Sequence, residues 1–293
     1  MHTHTTEGEV FHFLNTLKHT SPGIDKLPSW FLRLSAYVMA KPIADLFNIS
    51  IGRSFVPRQW KTSVITPVNK ISHPTCCSDF RPISLTPVLS RLLEKIVVRK
   101  YLYPILVDPK YTILFQDQYA FRPTGSTTAA LINLLHQITT LLLTYPYVHL
   151  IALDFTKAFD TVRHSTLMQK CAEFPMEDCI YSWLINFLAD RQHCTNFAGM
   201  ISTIAPINAS IVQGSGVGPV TYVLNASDLR PLTILNKLNK YADDSYLLVP
   251  STNSSSIPSE MCHISEWASQ NNLKLNVSKT REIIIHKPRS KIT

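Results

Sequence analysis

Tyr241-Ala242-Asp243-Asp244-Ser245-Tyr246-Leu247-Leu248-Val249 sets two adjacent carboxylates at the head of a β-prone run. Leu235 to Tyr241 offers a short strand before them, which puts the acids in a hairpin turn. Far upstream, Val148-His149-Leu150-Ile151-Ala152-Leu153 has almost no polar alternation, as suits a strand covered on both faces, and it ends in Asp154-Phe155. If these strands are neighbours, three carboxylates meet at one edge of a sheet. Acids gathered in a buried turn cost free energy through desolvation and mutual repulsion unless a cation sits between them. Mg²⁺ is the simplest such cation, since it takes one or two carboxylates and fills its other positions with water and substrate phosphates. Two such ions about 3.5–4 Å apart clamp the attacking and leaving oxygens of a phosphoryl transfer. Each piece alone reads more simply as structure, Asp154 as a strand-end cap and Asp243-Asp244 as an exposed turn.

The 293 residues, 45% of them hydrophobic, can bury a substantial core in two subdomains or one large domain, which excludes a disordered tail. A net charge of +8 favours a polyanionic partner. From Arg58 to Lys100 the cations Arg58, Lys61, Lys70, Arg81, Arg91, Lys95, Arg99 and Lys100 face only Asp79 and Glu94, an imbalance that could follow a phosphate backbone. A solvated helix face from Ser90 to Tyr101 accounts for part of it. The six cysteines form no pair of C-x-x-C knuckles and read as free thiols in a reducing compartment. His193-Cys194 and Cys262-His263 lack regular zinc-ligand spacing, and His2-x-His4 reads as a frayed end. No basic-then-apolar signal opens the chain. The apolar stretch from Ala129 to Leu153 is interrupted by Asn133, His136, Gln137, Pro146 and His149, which argues against a membrane span and for a helix, a turn and a strand.

Periodicity predicts a first helix up to about Thr20 with Val10, Phe13, Leu14 and Leu17 on one face, closed by Ser21-Pro22-Gly23. A second helix is expected from Ser29 to about Gly52, then hairpins and loops from Arg53 to Ser78. Helices follow over Ser90 to Leu102 and over Ser126 to Leu143, the latter with a core stripe of Leu131, Leu134, Leu135, Ile138 and Leu142. Ile180 to Leu188 reads as a helix whose Tyr181, Trp183 and Phe187 belong to the core. Gln213-Gly214-Ser215-Gly216-Val217-Gly218-Pro219 holds three of the eight glycines, which let backbone approach a ligand closely, and Pro219 can open the next helix. A short helix after Pro258-Ser259 turns Met261, Ile264 and Trp267 inward, and Leu273 to Val277 resumes as a strand. Ser251 to Ser256 is a low-complexity loop.

In this order the pieces resemble the reverse transcriptase domain of non-LTR retrotransposons, the long interspersed element class, over nearly the whole chain. Ser21-Pro22-Gly23-Ile24-Asp25 with Leu27-Pro28 is similar to that family's early motif, and Trp60-Lys61 followed by Asp79-Phe80-Arg81-Pro82-Ile83-Ser84-Leu85 to its first fingers motif. Gln118-Tyr119-Ala120-Phe121-Arg122 with Ser126-Thr127 resembles the second fingers motif, and Leu153-Asp154-Phe155-Thr156-Lys157-Ala158-Phe159-Asp160-Thr161-Val162 the first palm motif. Gln213 to Pro219 resembles the second palm motif and Tyr241 to Asp244 the aspartate pair. Trp267-Ala268 through Asn272-Leu273 to Lys279-Thr280 resembles the motif after it.

The resemblance implies an α+β right-hand polymerase with fingers and palm, the palm an antiparallel sheet backed by helices. It implies a helical extension over 1–52, fingers over 53–146, and a palm over 147–293 with a fingers-like helical insertion at about 171–205. Asp154 and Asp243 would be the principal ligands of two Mg²⁺ ions, or Mn²⁺ in their place, with Asp244 beside them and the Phe155 carbonyl completing a position. Phe159 would clash with a ribose 2′-hydroxyl and so favour deoxynucleotides, Gln213 would contact the incoming nucleotide, and Arg81 and Arg122 would reach its triphosphate. Lys279 would donate a proton to the leaving pyrophosphate. Asp160 is expected to point away from the metals. The primer 3′-hydroxyl would attack the α-phosphorus in line, one ion lowering the hydroxyl pKa and the other neutralising the pyrophosphate. The implied partners are an RNA template, a DNA primer and deoxynucleoside triphosphates, with no membrane, in the cytoplasm or nucleus.

The sequence departs from the pattern at Ala120, where glycine is usual, and at Asn225-Ala226-Ser227-Asp228, where the usual asparagine-aspartate neighbours are separated. Those changes are expected to perturb the fingers hairpin and the helix after Gly218. The chain ends at Thr293 without room for a thumb, and no endonuclease domain precedes residue 1, so a truncated element is expected. Two rivals accompany the polymerase: a remnant that only binds nucleic acid, and an RNA-templated RNA polymerase, against which Phe159 and Ala242 speak.

Overall fold

The computed structural model describes residues 4–156, 158–207 and 214–288. Helix α1 (Glu7–Asn15) opens on a capping box, Glu9 N donating to Thr6 Oγ1 and Thr6 N to Glu9 Oε2. The expected second helix is two, α2 (Ser29–Leu34) and α3 (Ala36–Gly52). They part at Ser35, whose hydroxyl donates to the Phe31 carbonyl at 2.8 Å and competes for the helical ladder. Strands β1 (Thr62–Asn69) and β2 (Phe80–Leu85) form an antiparallel pair whose second strand lies beyond the expected Arg53–Ser78 stretch. Helix α4 (Val88–Val97) passes through a π turn at Val98–Leu102 into α5 (Tyr103–Val107). Ser126 caps α6 (Thr127–Thr144) by accepting from Ala129 N. Then come β3 (Tyr147–Leu153), α7 (Ala158–Thr161), α8 (His164–Cys171), α9 (Asp178–Leu188), β4 (Arg191–Phe197), β5 (Met200–Ile201) and β6 (Ala205–Ile207). The last elements are α10 (Gly218–Asn225), β7 (Lys237–Tyr241), β8 (Asp244–Pro250), α11 (Ile257–Gln270) and β9 (Arg281–His286).

The chain divides into two compact units, Met1–Ile105 with Met168–Val220, and Leu106–Leu167 with Thr221–Thr293. In this division α6 belongs to the second unit and the segment Met168–Val220 to the first. In the first unit the strands run β2-β1-β4-β5, with β6 also on β4 and β1 parallel to β4. Its core includes the stacked pair Trp183 and Phe187, 5.3 Å between centroids, and Trp183 Nε1 donates to Ser50 Oγ. Those two aromatics are core as expected, whereas Tyr181 is half-buried and its hydroxyl donates to the Met168 carbonyl.

The second unit holds the palm sheet, β7-β8-β3-β9, antiparallel at every pairing. Leu134, Ile138 and Leu141 of α6 pack on Val148 and Leu248, with Leu150, Tyr246 and Ile285 around them. The stripe read from the sequence is therefore turned: Leu131 and Leu135 are 59% and 61% exposed, while Ala130 and Leu141 face inward. Leucine stands on both the buried and the exposed sides of this helix, so its leucines alone do not fix the rotation. It is the one described helix long and apolar enough to cross a membrane. The terminal strand is displaced too. Leu273 to Val277 makes only an isolated bridge, Leu275 with Phe155, because the Asn276 carbonyl accepts from Lys279 N and Thr280 N and turns the chain. The strand forms afterwards, as β9 on β3.

Candidate active site

The pairing registers build the acidic cluster. Leu153 pairs with Ser245 across β3 and β8, and Tyr241 with Asp244 across the β7-β8 hairpin. Asp154 directly follows Leu153 and Asp244 directly precedes Ser245, so the two acids leave this paired end of the sheet together. Asp243 lies in the turn itself. Its carboxyl pKa is pushed up first by burial, against the pull of its own backbone N–H, and then by the charges of Asp244 and Asp154. Asp244 is pushed the same way by burial and by Asp154. The ionised forms are thus disfavoured by their surroundings and by one another, the condition a bound cation relieves. Among the described residues no three His, Cys, Asp or Glu side chains already close on a common point. The donor set still fits Mg²⁺, which needs only one or two carboxylates and takes water and phosphate oxygens besides.

Neighbouring chain fixes the first acid. The Asp154 carbonyl accepts from Asn276 N at 2.7 Å, and Phe155 is buried, its ring 6.0 Å from that of Trp267. Lys279 Nζ lies 4.0 Å from Asp154 Oδ2, on the exposed side of the cluster. Phe159 stacks on Tyr222 at 4.6 Å between centroids and meets Phe121 edge-on at 6.3 Å. The Tyr222 hydroxyl pKa is raised by burial and then by Asp243 and Asp244, so this stack adjoins the acids. Asp154, Asp243, Asp244, Phe155, Phe159 and Lys279 are brought together.

The other expected contacts stand differently. Arg122 Nη1 donates to the backbone carbonyls of Phe115 and Gln118 and so braces the turn that carries its own motif. Arg81 is exposed on β2, in the other unit. Gln213 lies outside the described residues. The glycines after it are anchored on buried Glu94, whose Oε2 accepts from Gly216 N at 2.7 Å while Oε1 accepts from Ser90 Oγ. Positive φ falls on Phe121, at +57°, and not on Ala120, so the alanine is unstrained, and α10 runs unbroken to Asn225.

The base of the hairpin is polar and buried. Lys240 Nζ donates to the carbonyls of Ala226 and Leu229 and lies 3.2 Å from Asp117 Oδ2, which Arg230 also holds at 2.6 Å. Burial brings the Lys240 pKa down to about 8, against the attraction of Asp117. Ala242 has φ +58°, a region costly for a residue with a β-carbon, and buried Gln118 bonds to its peptide groups. The sequence marked Gln118 only as part of a motif. Nothing else set it apart, since a second amide, Gln116, stands two residues before it.

A family model described as reverse transcriptase (RNA-dependent DNA polymerase) matches residues 68–290. The chain belongs to the reverse transcriptase family. It is 27% identical over 90% of its length to the RNA-directed DNA polymerase from mobile element jockey of Drosophila melanogaster, and covers 30% of that protein. The probable RNA-directed DNA polymerase from transposon X-element of the same fly is likewise 27% identical, with the same coverages. This reverse transcriptase chain thus spans about a third of the length of those curated relatives, and its kin are the non-LTR retrotransposon enzymes that its motif order resembles. Apo telomerase from Candida tropicalis, truncated from its C-terminal domain, has the same fold, with a TM-score of 0.57 at 14% identity over 87% of this chain and 56% of that one.

Proposed function

We propose that this reverse transcriptase chain carries the nucleotide-adding site of an RNA-directed DNA polymerase, taking an RNA template, a DNA primer and deoxynucleoside triphosphates. The reading rests above all on the nearness of three acids at the end of the palm sheet: Asp154 follows Leu153, which pairs with Ser245 beside Asp244, and its charge acts on both Asp243 and Asp244. Asp154, Asp243 and Asp244 would hold divalent ions, which supply charge neutralisation at the phosphates and a lower pKa for the primer hydroxyl. The primer O3′ forms the bond to the α-phosphorus as the bond to the pyrophosphate oxygen breaks. Phe159, held by its stack on Tyr222, offers a flat apolar wall against a 2′-hydroxyl, and Lys279 Nζ a proton to the pyrophosphate. Arg81 and Gln213 are the proposed contacts to the incoming nucleotide; Arg122 is assigned to bracing the turn as well.

Extension of oligo(dT) on poly(rA) with Mg²⁺ tests the reading. The wild-type chain should incorporate dTTP and Asp243→Asn should not; equal incorporation by both would remove the assigned site. Salt-sensitive template binding without any extension by the wild type would favour the remnant that only binds nucleic acid.

A further inference from the structure

The turn that carries Asp243 and Asp244 is not held by its own hairpin alone. Ala242 sits at φ +58°, is 9% exposed, and separates the last β7 residue from the two acids. A β-carbon there costs roughly 1–2 kcal/mol, a strain that the two-residue turn between the paired Tyr241 and Asp244 imposes and that surrounding contacts must stabilise. The segment around Gln118 supplies such contacts. Lys240 N donates to the Asp117 carbonyl at 2.6 Å and Tyr119 N to the Lys240 carbonyl at 2.8 Å, a parallel bridge laid along the outer side of β7. Gln118, 2% exposed, then reaches past the strand end: its Oε1 accepts from Ala242 N at 3.0 Å, and its Nε2 donates to the Ala242 carbonyl at 3.4 Å. The same Oε1 accepts from Ala120 N, which fixes the amide's orientation. Both polar groups of the strained residue are satisfied by one side chain, 124 positions away in sequence.

We propose that Gln118 is a positioning residue for nucleotide addition, clamping Ala242 in its positive-φ conformation so that Asp243 and Asp244 leave the turn aimed at Asp154. The inference rests on the proposed polymerase reading. No other side chain does this job: leucine would fill the space but leave the buried Ala242 N–H and carbonyl without partners, and glutamate would keep the acceptor, lose the donor and add a charge beside three acids. With the clamp gone, Ala242 can relax to negative φ, and the acids move with it.

Gln118→Leu should lower the kcat of primer extension by about 10–100-fold, since a displacement near 1 Å at reacting groups costs on the order of 100-fold, while the KM for dTTP changes little. The decisive variant is Gln118→Leu with Ala242→Gly. Glycine adopts positive φ freely, so the second change removes the strain that the clamp opposes and should restore a large part of the lost kcat. A second readout does not need turnover: Mg²⁺ should raise the melting temperature of the wild type, less that of Gln118→Leu, and again more that of the double variant. Asp243→Asn serves as the reference in both. If it matches the wild type in extension and in the Mg²⁺ shift, the site reading itself fails. If it loses both while Gln118→Leu keeps both, the site stands and the clamp is refuted. Loss in Gln118→Leu that glycine at 242 leaves untouched would also refute it, and would make Gln118 an ordinary core residue.

Discussion

At the scale of single residues, the acids of the turn weaken the fold that they equip. The folded-state pKa values of Asp243 and Asp244 lie above the ordinary 3.8, so between that value and the raised ones the folded chain binds more protons than the unfolded chain. Stability contributed by these groups therefore falls as pH rises through that window, and the penalty is fully present at neutral pH. Asp243→Asn removes it. Without metal at pH 7 the variant should melt higher than the wild type, and the gain should shrink as the pH is lowered through the acid range. A calorimetric series in chelator checks this, and a lower melting temperature for Asp243→Asn at pH 7 would contradict the electrostatic account. Lys240 has the opposite sign of dependence. Its pKa is lowered to about 8 from 10.5, so the unfolded chain holds the extra proton between those values and this group's contribution to stability rises with pH across them.

At the scale of elements, two backbone positions and one helix face separate what local sequence specifies from what packing decides. Gly214 has φ +98°, and a β-carbon built on it would lie 2.6 Å from the Ser84 carbonyl oxygen, which is backbone and cannot yield. Gly214→Ala should cost about 1–3 kcal/mol in denaturant unfolding and depress extension further than its stability loss explains, because the glycine loop is displaced. The rotation of α6 makes a second test. Ile138→Ala, at a buried position on Val148 and Leu248, should destabilise by about 2–5 kcal/mol, and Leu135→Ala, 61% exposed, by less than about 0.5. The strands and the acid pair were legible in the sequence because β-prone runs flank the acids and a largely apolar run ends at Asp154. The α6 face was not, since leucine occurs all round that helix. The late strand was misplaced because Asn276 turns the chain through hydrogen bonds that no propensity announces, and the clamp on Ala242 was hidden because its two halves are distant in sequence.

At the scale of the whole molecule, a net charge of +8 says little until it is located. Within the first unit, Arg91, Lys95 and Arg99 follow one another at helical spacing and, with Tyr103 and the Gly214–Gly216 backbone, line a hollow of about 350 Å³. Arg91 is tied to the Ser21 carbonyl, whereas Lys95 and Arg99 both lie over the Phe13 ring, at 5.0 and 5.2 Å. Burial and then the charges of Arg99 and Lys18 lower the Lys95 pKa, so these cations repel one another across a ring that only partly compensates them. A polyphosphate strand laid along the hollow would relieve that repulsion and release the counterions condensed on it, which makes the contribution of each cation visible as a salt slope. Each neutralised phosphate contributes about 0.7 to the slope of log K against log salt for a single strand and about 0.9 for a duplex. Replacing Lys95 and Arg99 together by glutamine should therefore flatten the slope by about 1.4 to 1.8 in filter binding, while Asp243→Asn leaves it unchanged. Equal slopes for the double variant and the wild type would show that these two charges face solvent, and that the basic balance of the first unit serves solubility and not the path of a strand.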